Sequence, residues 1–365
     1  MAHLFDPFTL RGLTLRNRIV VSPMCEYSSI DGFATDWHLV HLGSRAVGGA
    51  ALVFTEAAAV SPEGRITPND LGIYRDEHIA ALRRIVDFIH ASGAKAGTQL
   101  AHAGRKASSA RPWDDAASVS PSKGGWEPLG PSAIPYTPGD RAPSAMSETD
   151  IEQVLQNFAA AARRAVECGF DTVEIHAAHG YLLHAFFSPL SNRRNDRYGG
   201  SFENRTRLIR EVTGGVRAVL PPDMPLLVRI SATDWAEGGW TADESVRLAR
   251  DLAALGCDLI DASSGGLVPH QQIAVGPHYQ VPFAEQIRNE SGVPTGAVGM
   301  ITDPARADEI VRSGQADLVF LARELLRDPY WPLHAATALG VDVAWPVQYE
   351  RARPRQAKAA CPVIA

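Results

Sequence analysis

The 365-residue chain lacks the features that mark several protein classes. It has only four cysteines, Cys25, Cys168, Cys257 and Cys361, far apart and without a CxxC pair. Neither a disulfide framework nor a thiolate zinc site is indicated, and a reducing cytoplasm fits best. No run approaches the ~18 uncharged apolar residues that cross a bilayer, and Met1 to Leu10 carry no charged leader followed by an apolar stretch. Positive charge is not in excess. At a net −6 the chain has no whole-molecule footprint for nucleic acid or an anionic membrane, so any basic site must be local. What is present, 45% hydrophobic and 21% charged residues, is enough for one large core or two modest ones, so the domain count must come from the pattern.

Eight short apolar runs recur, each bounded by Gly, Pro or polar residues: 18–22, 51–55, 96–100, 172–176, 226–230, 259–262, 295–298 and 317–321. Between them lie segments with apolar residues three and four apart, including 77–91, 148–168, 202–220, 242–255, 283–290 and 304–312, which read as amphipathic helices. Ser147 with Asp150 resembles an N-cap, Gly169 and Gly256 look like helix stops, and Pro304 follows Asp303 as at a first helical turn. Strand and helix alternate, which favours parallel strands joined by right-handed crossovers; eight units close most simply into an α/β fold of the (β/α)8 (TIM) barrel type. An open doubly wound sheet is the runner-up, but no GxGxxG turn follows the first run. A hairpin pattern over 8–15 is expected to close the bottom of the barrel. The connection 102–147, rich in Pro, Gly and Ser, far exceeds the ~12–15 residues usual for a loop and is expected to form a packed cap through Trp113, Trp126 and Tyr136. Residues 1–351 thus read as one domain, with 352–365 as a flexible tail.

In such barrels the chemistry sits where strands end. Here those ends are rich in functional groups: Ser22 to Tyr27, Gln99 to Lys106, Glu174 to Tyr181, and Arg229 within the fifth run. His176 and His179 have two readings. They can ligate a metal, as in a barrel metallohydrolase, although no HxH pair or partnered Asp stands at the first strand. They can also donate two hydrogen bonds to one carbonyl oxygen. Tyr181 then stands close enough to act as a general acid. Arg229, in an apolar strand, needs an anionic partner; that can be a ligand or a distant Asp or Glu. Small residues at 296–299 and 322, with Arg323, suit a phosphate. Cys25 has no adjacent base to make it a nucleophile. Arg105 and Lys106 either meet the 2′-phosphate of a nicotinamide or cap the loop with surface charge.

Taken together, the motifs Asn17 to Val20, Ser22 to Cys25, Gln99 to Lys106, His176 to Tyr181, Tyr198 to Ser201 with Glu203 to Arg205, and Arg323 to Pro329 resemble the Old Yellow Enzyme family of flavin-dependent ene-reductases. Cys25 and His179 select its thermophilic-like bacterial branch. The resemblance implies FMN, with its phosphate near Gly299, Met300, Ala322 and Arg323. It implies that Ser22, Pro23, Met24, Cys25 and Ala57 line the ring, that Gln99 meets the pyrimidine edge, and that Arg229 faces the N1/O2 locus. Cys25 would tune the flavin.

The same resemblance implies ping-pong reduction of activated alkenes (enals, enones, maleimides, nitroalkenes) by NADPH or NADH. His176 and His179 bind the activating oxygen, Tyr181 protonates Cα, and Tyr27 is a further substrate contact. Arg351 is implied to reach a neighbouring active site in a homodimer or homotetramer. Two departures stand out: Ala322 replaces the branch's usual Gly, and the chain continues past Arg351. Reduction of xenobiotic nitro compounds by the same site is a related alternative, and a flavin-binding module without turnover is another.

Overall fold

A computed structural model describes residues 1–114 and 116–354. Eight strands, β1 (Ile19–Val21), β2 (Leu52–Ala59), β3 (Lys95–Ala101), β4 (Thr172–Ala177), β5 (Leu226–Ser231), β6 (Leu259–Ser263), β7 (Thr295–Ala297) and β8 (Leu318–Leu321), close in chain order into a barrel. Every neighbouring pair is parallel. All eight runs expected from the sequence are therefore strands. The reason is burial on both faces, which demands nearly continuous apolar residues.

Outside lie α1 (Asp36–Val47), α2 (Ile79–Ala91), α3 (Glu148–Cys168), α4 (Arg207–Arg217), α5 (Ala242–Ala254), α6 (Val281–Ser291), α7 (Pro304–Arg312) and α8 (Trp331–Ala338). The caps act as their residues suggest. Ser147 accepts from the Asp150 N–H, Asp303 accepts from the Arg306 N–H, and Gly169 ends α3 in the left-handed region at φ 89°. The expected helix over 202–220 differs: it breaks at Thr206 into Phe202–Arg205 and α4, because Thr206 turns its hydroxyl back to the Phe202 carbonyl. Helices α1 and α8 lie outside the segments whose periodicity predicts a helix. Helix α1 mixes histidine and glycine into its turns, and five of the eight residues of α8 are buried, so neither has a clean polar face.

Two cores result. Outward-facing strand residues pack against the helices, while Val20, Phe54, Leu227, Leu259, Leu318 and Phe320 fill the lower barrel. The hairpin of Phe8–Leu10 and Leu13–Leu15 places Leu13 and Leu15 in that lower core and so closes it. Phe54 and Phe320 stack at 6.3 Å, and the strands face them with glycines: a Cβ on Gly97 would lie 2.5 Å from Phe54, and one on Gly296 2.2 Å from Phe320. Because strand side chains alternate, the same inward face higher up carries Gln99, Glu174, His176, Arg229 and Asp261, all buried.

The 102–147 connection contains two short 3-10 turns and a two-residue parallel pair, Leu129–Gly130 with Ser144–Ala145. Trp126 donates to the Glu63 carbonyl at 2.8 Å, and Tyr136 covers the Lys106 ammonium at 4.0 Å. Trp113 departs from the expected packing: it is 61% exposed, against the edge of Tyr27 and the Arg111 guanidinium. The expected tail over 352–365 lies mostly outside the described residues. Among those described, no helix is long and apolar enough to cross a membrane.

If the lower core sets stability, Phe320→Ala should cost about 3–5 kcal/mol in urea unfolding and Gly296→Ala about 1–3 kcal/mol through overpacking.

Candidate active site

The chain leaves β4 through a turn that few residues tolerate. His179 sits at φ 58° and Gly180 at φ 76°, and a Cβ on Gly180 would lie 2.3 Å from the Gly266 carbonyl oxygen. Left-handed backbone at a non-glycine residue persists where its surroundings over-determine it. Here the His179 N–H donates to Ser231 Oγ at 2.9 Å, the Gly180 N–H to His184 Nδ1 at 2.9 Å, and Lys106 Nζ to the His179 carbonyl at 2.7 Å. Lys106 also donates to the Gly266 carbonyl. His184 is itself fixed by Asp234, whose other oxygen accepts from Ser188 Oγ at 2.6 Å and the Trp240 N–H at 2.7 Å. Burial pushes Asp234 upward, but the His184, Ser188 and Trp240 contacts outweigh it and hold the carboxyl below its ordinary range.

This turn brings the rings together. His176 meets His179 edge-on at 5.2 Å and Tyr181 edge-on at 4.9 Å between centroids. Burial, reinforced by Arg229, drives both imidazoles well below their usual pKa, so they are neutral at pH 7. His176 Nδ1 accepts from the Ala178 N–H at 3.2 Å, which leaves the proton on Nε2. His179 Nε2 lies 2.8 Å from Ser263 Oγ. Ser263 Oγ in turn donates to Gln280 Oε1 at 3.3 Å, an acceptor that it shares with Ser264 Oγ at 2.7 Å. Each neutral ring carries one N–H. Burial pushes the Tyr181 phenol well above its usual value, with Cys25 and Tyr27 adding to it, so the hydroxyl keeps its proton.

Arg229 has the partner that its own strand does not supply. Its Nε lies 3.1 Å from Asp261 Oδ2 on β6, directly opposite in register, and its Nη1 donates to Ser22 Oγ at 3.1 Å. Gln99 Nε2 donates to Glu174 Oε1 at 2.7 Å. At the rim, Gly299 (φ 118°) and Met300 (φ 53°) turn the chain after β7, and Ala322 leads into the short helix Arg323–Arg327. Arg323 has no ion-pair partner among the described residues. A cavity of about 540 Å³ runs from Arg229 and Tyr181 to Met300 and Arg323, within the range of cofactor sites. Its free cation at one end, the left-handed glycine beside it and a guanidinium at the barrel centre suit a phosphorylated, elongated, anionic group. FMN is such a group.

The other site residues are placed as follows. Ser22 is buried after β1, and Cys25 and Tyr27 follow in a half-buried loop, with Tyr27 at φ 48°. Burial, with Asp70 and Glu56 nearby, raises the Cys25 thiol well above its usual value, which removes it as a nucleophile. Pro23 and Met24 are half-buried, Met24 against the outer core. Ala57 follows a bulge in β2 and shares a small hollow with Asp70 and Tyr181. Arg351 is exposed in the turn Val347–Ala352, which flanks a groove beside Arg16 and Gly93 at the opposite end of the barrel, away from its own chain's site. Arg105 and Lys106 neither cap the surface nor stand free: both are committed to backbone carbonyls, Arg105 to Leu267 at 2.5 Å, and burial lowers Lys106 to about 7. Among the described residues no three His, Cys, Asp or Glu side chains are grouped to hold a metal ion. Ser231, Ser263, Gln280, His184 and Asp234 carry no signal in the sequence; only the fold brings them to this turn.

Asp234→Ala should therefore cost about 3–5 kcal/mol. It should also speed amide exchange at Gly180 about tenfold or more in hydrogen-exchange mass spectrometry, as expected when about 1.4 kcal/mol or more of local protection is lost.

Comparison with known proteins matches this geometry. The model of the NADH:flavin oxidoreductase / NADH oxidase family matches residues 3–341. An NADPH dehydrogenase of Geobacillus sp. (strain WCH70) is 51% identical over 350 residues, covering 95% of this chain and 98% of that protein. One of Bacillus subtilis (strain 168) is 48% identical over 350 residues, with the same coverage. Among solved structures, morphinone reductase in complex with tetrahydroNAD superposes with a TM-score of 0.77 at 27% identity, over 95% of this chain and 93% of that one. A 2-naphthoyl-CoA reductase complex gives 0.84 at 26% identity, over 93% of this chain and 52% of that one. The chain belongs to the NADH:flavin oxidoreductase / NADH oxidase family, that of Old Yellow Enzyme, and is an FMN-dependent oxidoreductase with a nicotinamide as its reductant.

Proposed function

We propose that this oxidoreductase is an ene-reductase, reducing the C=C bond of α,β-unsaturated aldehydes, ketones, maleimides and nitroalkenes in two half-reactions that share one site. The observation that carries this reading is the convergence of a neutral imidazole, His179, and a protonated phenol, Tyr181, on one cavity, with neutral His176 edge-on against both, while Arg323 lines the same cavity without an ion-pair partner among the described residues. FMN, when bound, supplies a two-electron carrier between the nicotinamide and the substrate carbon. Arg323, Gly299, Met300 and Ala322 would hold its phosphate, Ser22 to Cys25 and Ala57 its ring, and Gln99 and Arg229 its pyrimidine edge. The name NADPH dehydrogenase carried by the relatives supports NADPH, or NADH, as the reductant.

His176 and His179 each direct one N–H at the substrate's activating oxygen, which draws electron density from Cβ and stabilises the charge that develops on the oxygen. Being neutral, they do so without donating a proton to it. Tyr181 holds its proton beside them and delivers it to Cα. Tyr27 borders the substrate from the β1 loop. Arg351, remote from its own site, reaches a neighbouring subunit's site in a homodimer or homotetramer. Nitro compounds would meet the same donors. The reaction fits the cytoplasm, where reduced nicotinamides and free thiols coexist.

Two outcomes check this reading by anaerobic stopped-flow. The yellow protein should be bleached by NADPH and recoloured by cyclohexenone, and Tyr181→Phe should slow only the recolouring, by about 10²–10⁴. A colourless protein, or equal rates for the variant, would contradict it. Neither histidine should contribute an ionisation to the recolouring rate between about pH 6 and 8; an inflection there should come from Lys106, which burial lowers to about 7, or from Asp261, and one that survives both Lys106→Met and Asp261→Asn would place a charged imidazole in the step.

A further inference from the structure

Beneath Arg229 the barrel holds one acid more than its cations can balance. Glu174 on β4 and Asp261 on β6 are both fully buried, and the one guanidinium between them belongs to Arg229. Glu174 spends Oε1 on the Gln99 amide and leaves Oε2 without a partner. Neither Asp261 oxygen has a well-formed hydrogen bond, although Oδ2 is in ion-pair range of Arg229. The other groups around the pair add no charge. His176 above them is neutral, Ser22 and Gln99 are uncharged, and burial raises the Cys257 thiol below them to about 12. Two buried carboxylates against one cation in a dry site cannot both ionise without several kcal/mol of penalty, so the group retains a proton.

We propose that Glu174 and Asp261 form a proton-holding pair behind the flavin edge, carrying one proton in the oxidised enzyme and binding a second when the cofactor is reduced. This rests on the proposed placement of Arg229 against the cofactor's pyrimidine edge. Glu174 keeps the first proton, because burial and the adjacent Asp261 both raise it while Asp261 has the direct contact with Arg229. In that state Asp261 cancels the Arg229 charge and the unit is neutral. Hydride from the nicotinamide, two electrons with one proton, would leave negative charge before Arg229. That charge would compete with Asp261 for the guanidinium, and Asp261 would take a proton from solvent: one O–H bond forms, no further electron moves, and the two acids with Arg229 then carry +1 against the cofactor's −1. Burial has already lifted Asp261 above the usual carboxylate range, which brings this uptake toward neutral pH. Glu174 and Asp261 are thus positioning residues that act on the cofactor through Arg229.

The test is the midpoint potential of the FMN-loaded enzyme against pH, read by dithionite titration with reference dyes around neutrality. Wild type should take up two protons per two electrons and give a slope twice that of a one-proton couple. Asp261→Asn should raise the potential and halve the slope. Glu174→Gln, which mimics the permanently protonated acid, should keep the doubled slope. A structural role alone would not separate the two variants in this way. Infrared difference spectra of oxidised wild type against Glu174→Gln, which do not depend on the Asp261 variant folding, should show a protonated carboxyl band at pH 7. A one-proton slope in wild type, a doubled slope retained in Asp261→Asn, or no such band would overturn the proposal. An enzyme that binds FMN yet gives these results would contradict only the proton pair; one that binds no FMN would overturn the functional reading and this inference with it.

Discussion

A guanidinium that cannot reach water governs the mouth of this barrel. Arg229 sits on the inner face of β5, 6% exposed, and its position follows from register: Asp261 lies opposite it on β6, and Ser22 accepts from it across the barrel. Removing one partner of such a buried pair typically costs about 3–5 kcal/mol, so the strands that carry these residues are held in step. The lower barrel is correspondingly dry and apolar, with the stacked Phe54 and Phe320 filling it. The chemistry is lifted above that floor, where His176, Arg229 and Asp261 lie level in register and Ser231 and Ser263 one step higher.

The same economy shapes the turn after β4. A left-handed His179 is disfavoured by itself, yet it is what lets two rings from one short segment face each other and Tyr181. The cost is met by neighbours from four directions: Ser231 on β5, Ser263 on β6, Lys106 from the long loop, and the His184–Asp234 pair beneath. Those neighbours also set protonation. Burial keeps the imidazoles neutral and the phenol protonated, so these three rings present hydrogen-bonding groups without charge of their own. The fixed positive charge of the cavity comes from Arg229 and Arg323.

Much of this was legible in the sequence because the physics is local. Strands buried on both faces write continuous apolar runs, and caps such as Ser147 and Asp303 mark helix starts. Residues at strand ends announced themselves by being polar where packing alone would choose otherwise. What stayed hidden was pairing between distant strands. Asp261 sits in an ordinary-looking run, and only register reveals it as the partner of Arg229. Lys106 reads as surface charge until the fold closes carbonyls around it. Trp113 reads as packing and is exposed, because aromatic content says nothing about which side of a loop faces the protein.

The central claim is that hydride and proton arrive at different carbons of one alkene, the proton from Tyr181. The most direct test is the position of label in the product of a single turnover with nicotinamide deuterated at its C4 and cyclohexenone in ordinary water. The account predicts deuterium at Cβ and a solvent hydrogen at Cα of saturated cyclohexanone. Deuterium at the carbonyl carbon, giving an allylic alcohol, would contradict it.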